Sequence, residues 1–289
     1  MIEVLKRLPA GRVQEIAPPH WFRRPFNLVW EQTILPFYAV RSEMLWSPSS
    51  TGPLFLERQV LTVHDLAPVQ FRQDFNPLFG RYFDFVFPRL LPRIAGIITA
   101  SEYTRRRVLE TYRVSPGKVH AIPLGVDHAR FRPQARDRID AVRSRLKLPA
   151  RYILFLGTVS VRKNVGQLVR AWAHIHRKID SDVHLVIAGG SGAAHVFNEP
   201  SLPELPPRTH VTGRIDEDDL APLLGGAEVF VFPSQYEGFA LPPLEAMACG
   251  TPCITSNVTS LPELIGDAGL LVSPYDDRAM ADALEALLT

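Results

Sequence analysis

The chain has 289 residues, of which 46% are hydrophobic and 21% are charged, and its formal net charge is +2. These values exclude a disordered or fibrous chain and are typical of a globular protein with two domains of ordinary size. The N-terminus lacks the apolar core of a signal peptide, and no apolar run approaches the roughly 20 residues that span a bilayer, so the sequence predicts a cytoplasmic protein.

The first half of the chain alternates apolar, β-rich runs with helical segments. Strands are predicted at 59–63, 94–99 and 118–122. A helix is predicted to follow Ser101, whose hydroxyl suits the N-cap position. The first fifty residues contain one glycine, Gly11, and lack the pattern of a strand, a glycine-rich loop and a helix.

The second half shows the same alternation more regularly, which predicts a parallel, doubly wound sheet of the α/β class. A charged, helix-like link at 131–149 joins the two halves. We therefore predict an N-terminal domain at 1–140 and a C-terminal domain at 141–289. The predicted strands of the second half lie at 152–156, 183–188, 210–211, 229–232, 253–255 and 270–272.

A candidate phosphate site follows the strand at 152–156. Arg162 and Lys163 precede Asn164, a natural N-cap, and an amphipathic helix comes next. At the start of this helix, the positive end of the helix dipole, the unpaired backbone N–H groups and the two cations would come together. This arrangement predicts a pyrophosphate site. The alternative is two solvated loop cations. Strand-ending glycines would allow close backbone approach nearby: Gly157, Gly189 and Gly213.

The segment 234–250 places two carboxylates around the start of a second helix. Pro242 and Pro243 suit the first helical turn, so Glu237 is predicted in the loop and Glu245 on the helix. Backbone N–H groups at 238–240 and the positive end of the helix dipole favour a phosphate there, and a carboxylate beside them can accept sugar hydroxyls. The alternative is a solvated loop glutamate and a helix N-terminal glutamate that complements the dipole.

The only two cysteines, Cys249 and Cys253, have a spacing that fits neither a zinc pair nor the Cys-x-x-Cys redox motif. We predict that both are small buried hydrophobic residues, and no metal or cofactor is predicted.

Basic residues are concentrated in residues 1–145, which hold 22 Lys and Arg against 13 Asp and Glu. Two interpretations stay open: contact with an anionic membrane leaflet or phosphate-bearing acceptor, or mutual pairing of the basic and acidic halves together with solvated helix faces. Nucleic-acid binding is not predicted, because no recognition motif accompanies the charge. Much of the excess comes from residues 105–107 and from Arg130, Arg132, Arg136 and Arg138.

From about Val60 to the C-terminus, these residues resemble the retaining GT-B glycosyltransferases of family GT4, especially bacterial mannosyltransferase-like members of polysaccharide assembly. The most specific matches are Gly157 with Arg162-Lys163-Asn164 and the segment 232–252. The specific matches continue at 260–264 and 266–272, and supporting matches lie at 62–66, 98–102 and 122–127.

The resemblance implies two Rossmann-like domains facing across a cleft, with the donor nucleotide on the C-terminal one. By that likeness Arg162 and Lys163 hold the donor diphosphate and Glu245 the ribose. Glu237 holds the donor sugar, and His64 lies across the cleft near the reactive face of the sugar. The remaining donor-binding positions implied are Gly157, Gly189, Gly213, Gly238, Phe239, Ala240 and Leu241.

The implied reaction moves a hexose, most simply mannose, from GDP-mannose or a UDP-sugar to an acceptor hydroxyl with retention. It needs no metal and no dedicated carboxylate nucleophile, because stabilisation of the leaving diphosphate dominates. The acceptor would be a glycan or a lipid-linked sugar in cell-surface polysaccharide or glycolipid synthesis. The enzyme would be cytoplasmic or peripheral at the inner face of the membrane.

The sequence departs from this family at both ends, so we expect an incomplete first domain and a missing C-terminal helix. Transfer by this chain alone is then expected to be poor. Two alternatives stay open: a sugar-nucleotide epimerase or sugar phosphorylase of the same architecture, and a non-catalytic nucleotide-binding subunit.

Overall fold

The computed structural model describes residues 14–18, 27–190 and 204–289, so Gly11 lies outside the described residues. The chain forms two compact units. The first unit comprises Met1–Leu66 and Tyr82–Ile122, and the second comprises Ala67–Arg81 and Pro123–Thr289. These units do not coincide with the predicted domains 1–140 and 141–289, whose boundary stays a prediction.

The described helices and strands alternate along most of the chain. In chain order the helices are α1 (Asn27–Thr33), α2 (Leu35–Ala39), α3 (Ala67–Gln70), α4 (Pro77–Leu90), α5 (Glu102–Thr111), α6 (Arg136–Leu146), α7 (Val165–Ile175), α8 (Glu217–Gly225), α9 (Leu241–Ala248), α10 (Leu261–Ile265) and α11 (Asp277–Leu288). The strands are β1 (Leu45–Ser47), β2 (Gln59–Val63), β3 (Gly96–Thr99), β4 (Val119–Ala121), β5 (Arg151–Leu156), β6 (Val183–Ala188), β7 (Thr209–Gly213), β8 (Val229–Phe232), β9 (Cys253–Ser256) and β10 (Leu270–Val272).

The first unit contains a parallel four-stranded sheet in the order β1-β2-β3-β4. The three predicted strands are confirmed, and β1 is an additional one that sequence did not predict. It has three residues, of which only Ser47 is buried, so its sequence shows no apolar pattern from which a strand could be predicted. Ser101 caps α5 as predicted, because its Oγ accepts a hydrogen bond from the Thr104 N–H at 3.1 Å.

The second unit contains a parallel six-stranded sheet in the order β10-β9-β8-β5-β6-β7. All six predicted strands are present. The chain begins at the centre with β5, extends outward through β6 and β7, and then returns to the other side of β5 with β8. The direction of chain progression therefore reverses between β5 and β8, and ligands in doubly wound folds bind outside the carboxyl ends of strands at such a switch point.

Helices cover both faces of this second sheet, which is why its central strands are apolar on both sides. Alternate residues of β5 enter opposite cores: Ile153 packs with Trp172 of α7 and Leu284 of α11, while Leu154 packs with Leu223 of α8. The predicted amphipathic helix is α7, and its apolar residues are buried as expected. They are Val165, Leu168, Val169, Trp172 and Ile175.

The two cysteines are buried, as predicted, and neither forms a disulfide. Burial raises the pKa of the Cys249 thiol to about 11 and that of Cys253 to about 12. Both are therefore neutral, unreactive core residues near pH 7.

Several residues of the basic run form ion pairs. Arg105 lies 3.2 Å from Glu102, and Arg107 lies 2.6 Å from Glu110. Both pairs lie within α5 and are partly exposed, as on a solvated helix face, where such pairs add little stability. They do not test pairing between the two halves or contact with a membrane. Among the residues described, no helix has the length and apolar character needed to cross a bilayer.

Candidate functional site

The candidate site lies at the carboxyl ends of β5 and β8, the switch point of the second sheet. The loop 157–164 leaves β5 and leads into α7, and the loop 233–240 leaves β8 and leads into α9. The two strands are neighbours in the sheet, so the two loops begin side by side. The predicted phosphate-binding cations and the predicted sugar-binding glutamate are thus brought together by strand order.

Arg162 is buried, with 8% of its surface exposed, and lies in the first of these loops. Its Nη1 donates to the Tyr236 carbonyl oxygen at 2.9 Å and lies 3.0 Å from Glu237 Oε2. Its Nε lies 3.3 Å from Asp74 Oδ2. The guanidinium is therefore fixed by three partners, which excludes the alternative of a solvated loop cation.

Lys163 is also tied to the second loop. Its Nζ donates to Glu237 Oε1 at 2.8 Å and lies 4.5 Å from the centre of the Phe232 ring, within the range of a cation–π contact. The Lys163 side chain is only 12% exposed. Both cations therefore converge on the carboxylate of Glu237.

Glu237 is a buried charge with two cationic partners. Burial by itself raises the pKa of its carboxyl, but the attraction of Lys163 and then of Arg162 outweighs it, so the pKa lies below its ordinary value. Main-chain contacts fix the residue as well: its N–H donates to Thr259 Oγ1 at 3.2 Å, and its carbonyl accepts from Ser260 Oγ at 3.0 Å. The carboxylate is ionised and held in place.

Backbone contacts join the two loops further. The Gln235 N–H donates to the Arg162 carbonyl at 2.8 Å. Asn164 precedes α7 as predicted, but its side chain does not cap the helix, and its φ is +54°. Instead its amide donates to the carbonyls of Pro233 at 3.2 Å and Pro274 at 2.8 Å. The prediction of a side-chain cap is wrong because the Asn164 backbone is left-handed and its Nδ2 contacts orient the amide, so its Oδ1 accepts no N–H of the first turn of α7.

Helix α9 begins where the prolines predict, with Pro at its first positions. Ala240 is its N-cap residue and has extended backbone angles. Within the described part of the chain, the N–H groups of Phe239 and Ala240 donate to no backbone or side-chain acceptor. They lie at the N-cap of α9 and one residue before it, near the positive end of the helix dipole, and they suit an anion.

Glu245 lies on α9 as predicted, and its environment differs from that of Glu237. It is half-buried, and no described group hydrogen-bonds its carboxylate. Burial raises the pKa of its carboxyl, although the positive charge of Arg130 opposes that shift. A half-buried carboxylate without a hydrogen-bond partner has acceptor capacity left for hydroxyl groups.

The glycines that end β6 and β7 have left-handed backbone angles, with φ of +127° at Gly189 and +71° at Gly213. A Cβ added to Gly189 would lie 1.9 Å from the Gly157 carbonyl oxygen. The close approach in the structure is thus between two chain segments, and it explains why residue 189 is glycine. Contact of these glycines with a donor stays a prediction.

His64 lies in the first unit, at the carboxyl end of β2. Its backbone N–H donates to Ser50 Oγ at 3.1 Å, and its ring Nε2 lies 2.8 Å from the Pro48 carbonyl oxygen. A carbonyl can only accept, so in the neutral ring Nε2 carries the proton and Nδ1 is the acceptor. The ring is exposed, and its predicted role stays a prediction.

Asp74 was missed in the sequence. It lies in a short 3₁₀ turn, Arg72–Asp74, within the part of the chain that groups with the second unit. Its carboxylate contacts Arg162, although 88 residues separate them. A single aspartate in a loop carries no pattern that distinguishes it, so only the folded chain reveals this contact.

Two family models match the chain. Residues 150–289 match the model described as "Glycosyl transferases group 1", and residues 42–130 match "Glycosyltransferase Family 4". Among curated proteins, O-antigen chain mannosyltransferase B of Escherichia coli is 31% identical over 83% of this chain and 64% of its own length. MMP alpha-(1->4)-mannosyltransferase of Mycolicibacterium hassiacum is 32% identical over 74% of this chain and 50% of its own length. The chain thus spans between half and two thirds of these relatives.

Solved structures resemble the chain over most of its length. Sucrose-phosphate synthase from Thermosynechococcus elongatus has a TM-score of 0.70 and 25% identity, over 98% of this chain and 73% of that one. HepE of Anabaena, solved with UDP-glucose, has a TM-score of 0.64 and 19% identity, over 79% and 62%. The predicted α/β class and GT-B fold are confirmed by these neighbours.

Proposed function

We propose that this chain, which belongs to glycosyltransferase family 4, moves a hexosyl group from a nucleoside diphosphate sugar to an acceptor hydroxyl. The observation that carries the proposal is the buried cluster of Arg162, Lys163 and Glu237 at the β5/β8 switch point. Two cations and a carboxylate at that position match the two ends of such a donor, an anionic diphosphate and a hydroxyl-rich sugar.

The cations would stabilise the leaving group. As the bond between the anomeric carbon and the diphosphate breaks, negative charge grows on a phosphate oxygen. Once the donor is bound, the charges of Arg162 and Lys163 are already in place, so no further reorganisation is needed as the bond breaks, and this is the condition under which electrostatic stabilisation is most effective. The N–H groups of Phe239 and Ala240 at the start of α9 add uncharged donors.

Binding of the donor would exchange partners at Glu237. In the structure Lys163 Nζ donates to Glu237 Oε1. When a diphosphate takes over part of the interaction with the cations, a carboxylate oxygen becomes available to accept a hydroxyl of the sugar. Glu237 would therefore contact the sugar only in the presence of the diphosphate, which links recognition of the two ends of the donor.

Glu245 and His64 would have supporting roles. Glu245, half-buried and without a hydrogen-bond partner among described groups, would accept the ribose hydroxyls. His64 would lie near the reactive face of the sugar, as the resemblance to family GT4 implies. Retention at the anomeric carbon is part of the proposal and would require no carboxylate nucleophile.

The donor and acceptor are proposed from the relatives. Mannose is the first sugar to test because the two curated relatives are named mannosyltransferases. GDP-mannose is the first donor to test because the sequence resemblance implies it. A UDP-sugar is second, because the similar HepE structure contains UDP-glucose. The acceptor would be a growing surface glycan or a lipid-linked sugar, and basic residues of the first half would assist peripheral contact with a membrane that carries it. The family models and these relatives do not favour an epimerase or a phosphorylase.

Calorimetric titration with GDP, UDP and ADP tests the proposal. Replacing Arg162 or Lys163 by Ala should weaken the best nucleotide by about 10- to 150-fold, at roughly 1.5–3 kcal/mol for each charged hydrogen bond lost. Arg170→Ala is the matched control, because Arg170 is an exposed cation on α7 that pairs with Asp277. Equal affinities for Arg162→Ala, Lys163→Ala and Arg170→Ala would reject the site.

Variants of the two glutamates distinguish the proposed ribose contact from the proposed sugar contact. Glu245→Gln should weaken the free nucleoside diphosphate, whereas Glu237→Gln should spare it and lose discrimination among donor sugars. Competition titrations of GDP against GDP-mannose and GDP-glucose measure both quantities. Equal losses of free nucleotide affinity in the two variants would contradict this assignment.

A further inference from the structure

We propose that Asp74 is a positioning residue of the donor site, holding the loop 160–163 so that Arg162 and Lys163 face the diphosphate. The inference rests on the proposed function, in which these two cations bind the donor. Asp74 comes from the segment Ala67–Arg81, which belongs to the second unit although it precedes that unit's main segment by more than forty residues.

The Asp74 carboxylate makes three contacts with this loop. Its Oδ1 accepts the Arg162 backbone N–H at 3.1 Å, and its Oδ2 lies 3.3 Å from Arg162 Nε. Oδ2 also accepts from Ser160 Oγ at 3.2 Å, and Ser160 Oγ in turn accepts the Lys163 backbone N–H at 3.4 Å. One carboxylate therefore fixes the main chain and side chain of Arg162 and, through Ser160, the main chain of Lys163.

Burial makes this arrangement specific to a carboxylate. Asp74 is fully buried, and Ser160 is only 4% exposed. Three donors converge on Asp74, and a carboxylate has acceptors on both oxygens, whereas asparagine would turn an N–H₂ group toward one of these donors. A buried charge is stable only when paired and hydrogen-bonded in this way. The neighbouring Tyr236, whose carbonyl accepts from Arg162, packs its ring 6.4 Å from Phe71 of the same segment.

The charge of Asp74 and its positioning role predict changes of opposite sign in the affinity for an anion. Two carboxylates, Asp74 and Glu237, face two cations, Arg162 and Lys163, so these four side chains sum to zero charge. Removing the charge of Asp74 leaves the four with one excess positive charge, and charge alone would then strengthen binding of an anion. Loss of positioning would weaken it. The two effects have opposite signs, so one titration separates them.

The experiment is a double-mutant cycle with the nucleoside diphosphate that binds best among GDP, UDP and ADP. Asp74→Asn should weaken its affinity about tenfold in the wild-type chain but no more than about threefold in the Arg162→Ala chain, where only the bridge through Ser160 to Lys163 remains to be lost. In a glycosyl-transfer assay, the KM for the donor should rise while the KM for the acceptor stays constant. Unchanged or tighter binding by Asp74→Asn, or equal losses in both backgrounds, would overturn the proposal.

Further variants distinguish a failure of the Asp74 proposal from a failure of the proposed function. Asp277→Asn makes the same chemical change at the exposed Arg170 pair and should leave affinity unchanged. If Asp74→Asn does not fold, Ser160→Ala is the second variant, because it removes the bridge to Lys163. It should weaken nucleotide binding about threefold, at the small end of the coupling expected within a network. Unchanged binding by Ser160→Ala would also overturn the proposal. If Arg162→Ala itself has no effect on nucleotide binding, the proposed function fails, whereas an effect of Arg162→Ala without one of Asp74→Asn rejects only the role of Asp74.

Discussion

Replacing Glu237 by Gln isolates the charge at the centre of the candidate site. The two side chains have nearly the same shape, so packing is conserved and the ionic contacts are lost. The carboxylate oxygens lie 2.8 Å from Lys163 Nζ and 3.0 Å from Arg162 Nη1. In the Gln variant one of these oxygens becomes an N–H₂ group that faces a cation, and neither contact keeps its charge.

The magnitude follows from burial and from the partners that remain. Breaking a buried ion pair by removal of one partner costs about 3–5 kcal/mol. Arg162 keeps Asp74 as a partner, so we expect the lower end, about 3 kcal/mol. For a folding unit of this size, 1 kcal/mol corresponds to roughly 2–4 °C in Tm, which predicts a decrease of about 6–12 °C for the second unit.

The pH dependence has a definite sign. Because the pKa of Glu237 is lowered in the folded chain, the ionised carboxylate stabilises the fold at all pH values above its ordinary pKa of 4.5. That contribution is lost as pH falls through the lowered folded pKa. The difference in Tm between wild type and Glu237→Gln should therefore be largest at pH 6–7, about 1.5–2.5 units above that ordinary pKa, and should shrink toward zero in stronger acid.

Calorimetric scans from pH 7 to pH 3 measure this difference, and Glu245→Gln is the control. Burial raises the pKa of Glu245, with Arg130 opposing, so the ionised form is disfavoured in the fold. Glu245→Gln should leave Tm unchanged or raise it slightly at pH 7. A Glu237→Gln decrease below about 2 °C at pH 7, or one that persists unchanged at pH 3, would refute the account of a buried, paired carboxylate.

Three further predictions concern the fold. Gly189→Ala should destabilise the second unit by about 3 kcal/mol or more in a thermal scan, because the added Cβ would overlap the Gly157 carbonyl. Gly117→Ala is the control and should be near neutral, because a Cβ at residue 117 would meet open space. Ser101→Ala should cost about 1 kcal/mol in urea unfolding, through loss of the cap of α5. Cys253 should resist a thiol reagent at pH 8 until urea unfolds the chain, because burial raises its pKa to about 12; rapid labelling of the folded chain would contradict its burial.

Much of the second sheet could be predicted because its central strands are nearly continuous apolar runs. The runs at 183–188, 229–232 and 270–272 have the bounds predicted from sequence. In a sheet covered on both faces, burial requires apolar residues at consecutive positions, so a strand is marked by composition alone. Helix α7 was equally clear, because its apolar residues recur at helical spacing and all pack into one core.

The remaining features depend on contacts distant in sequence. Residue types at 162, 163 and 237 indicated a phosphate and sugar site, but only the order of β5 and β8 in the sheet brings them together. The side chain of Asn164 fits a helix cap locally, yet carbonyls of two other loops bind it. Asp74 had no local signal, because its partners lie more than eighty residues away.

The neutral charge of the cluster determines how such a site discriminates. A site with unpaired cations would attract many anions, whereas here each cation already has a carboxylate partner, and an incoming anion must replace those contacts at close range. Only a ligand that satisfies the cations and also supplies hydroxyls for the released Glu237 oxygen leaves every buried group paired, and an unpaired buried charge is costly. Free phosphate satisfies the first condition alone. Under the proposed function, the pairing would favour a sugar joined to a diphosphate over either part separately, and it would make the position of Arg162, which contacts Asp74, part of the selectivity.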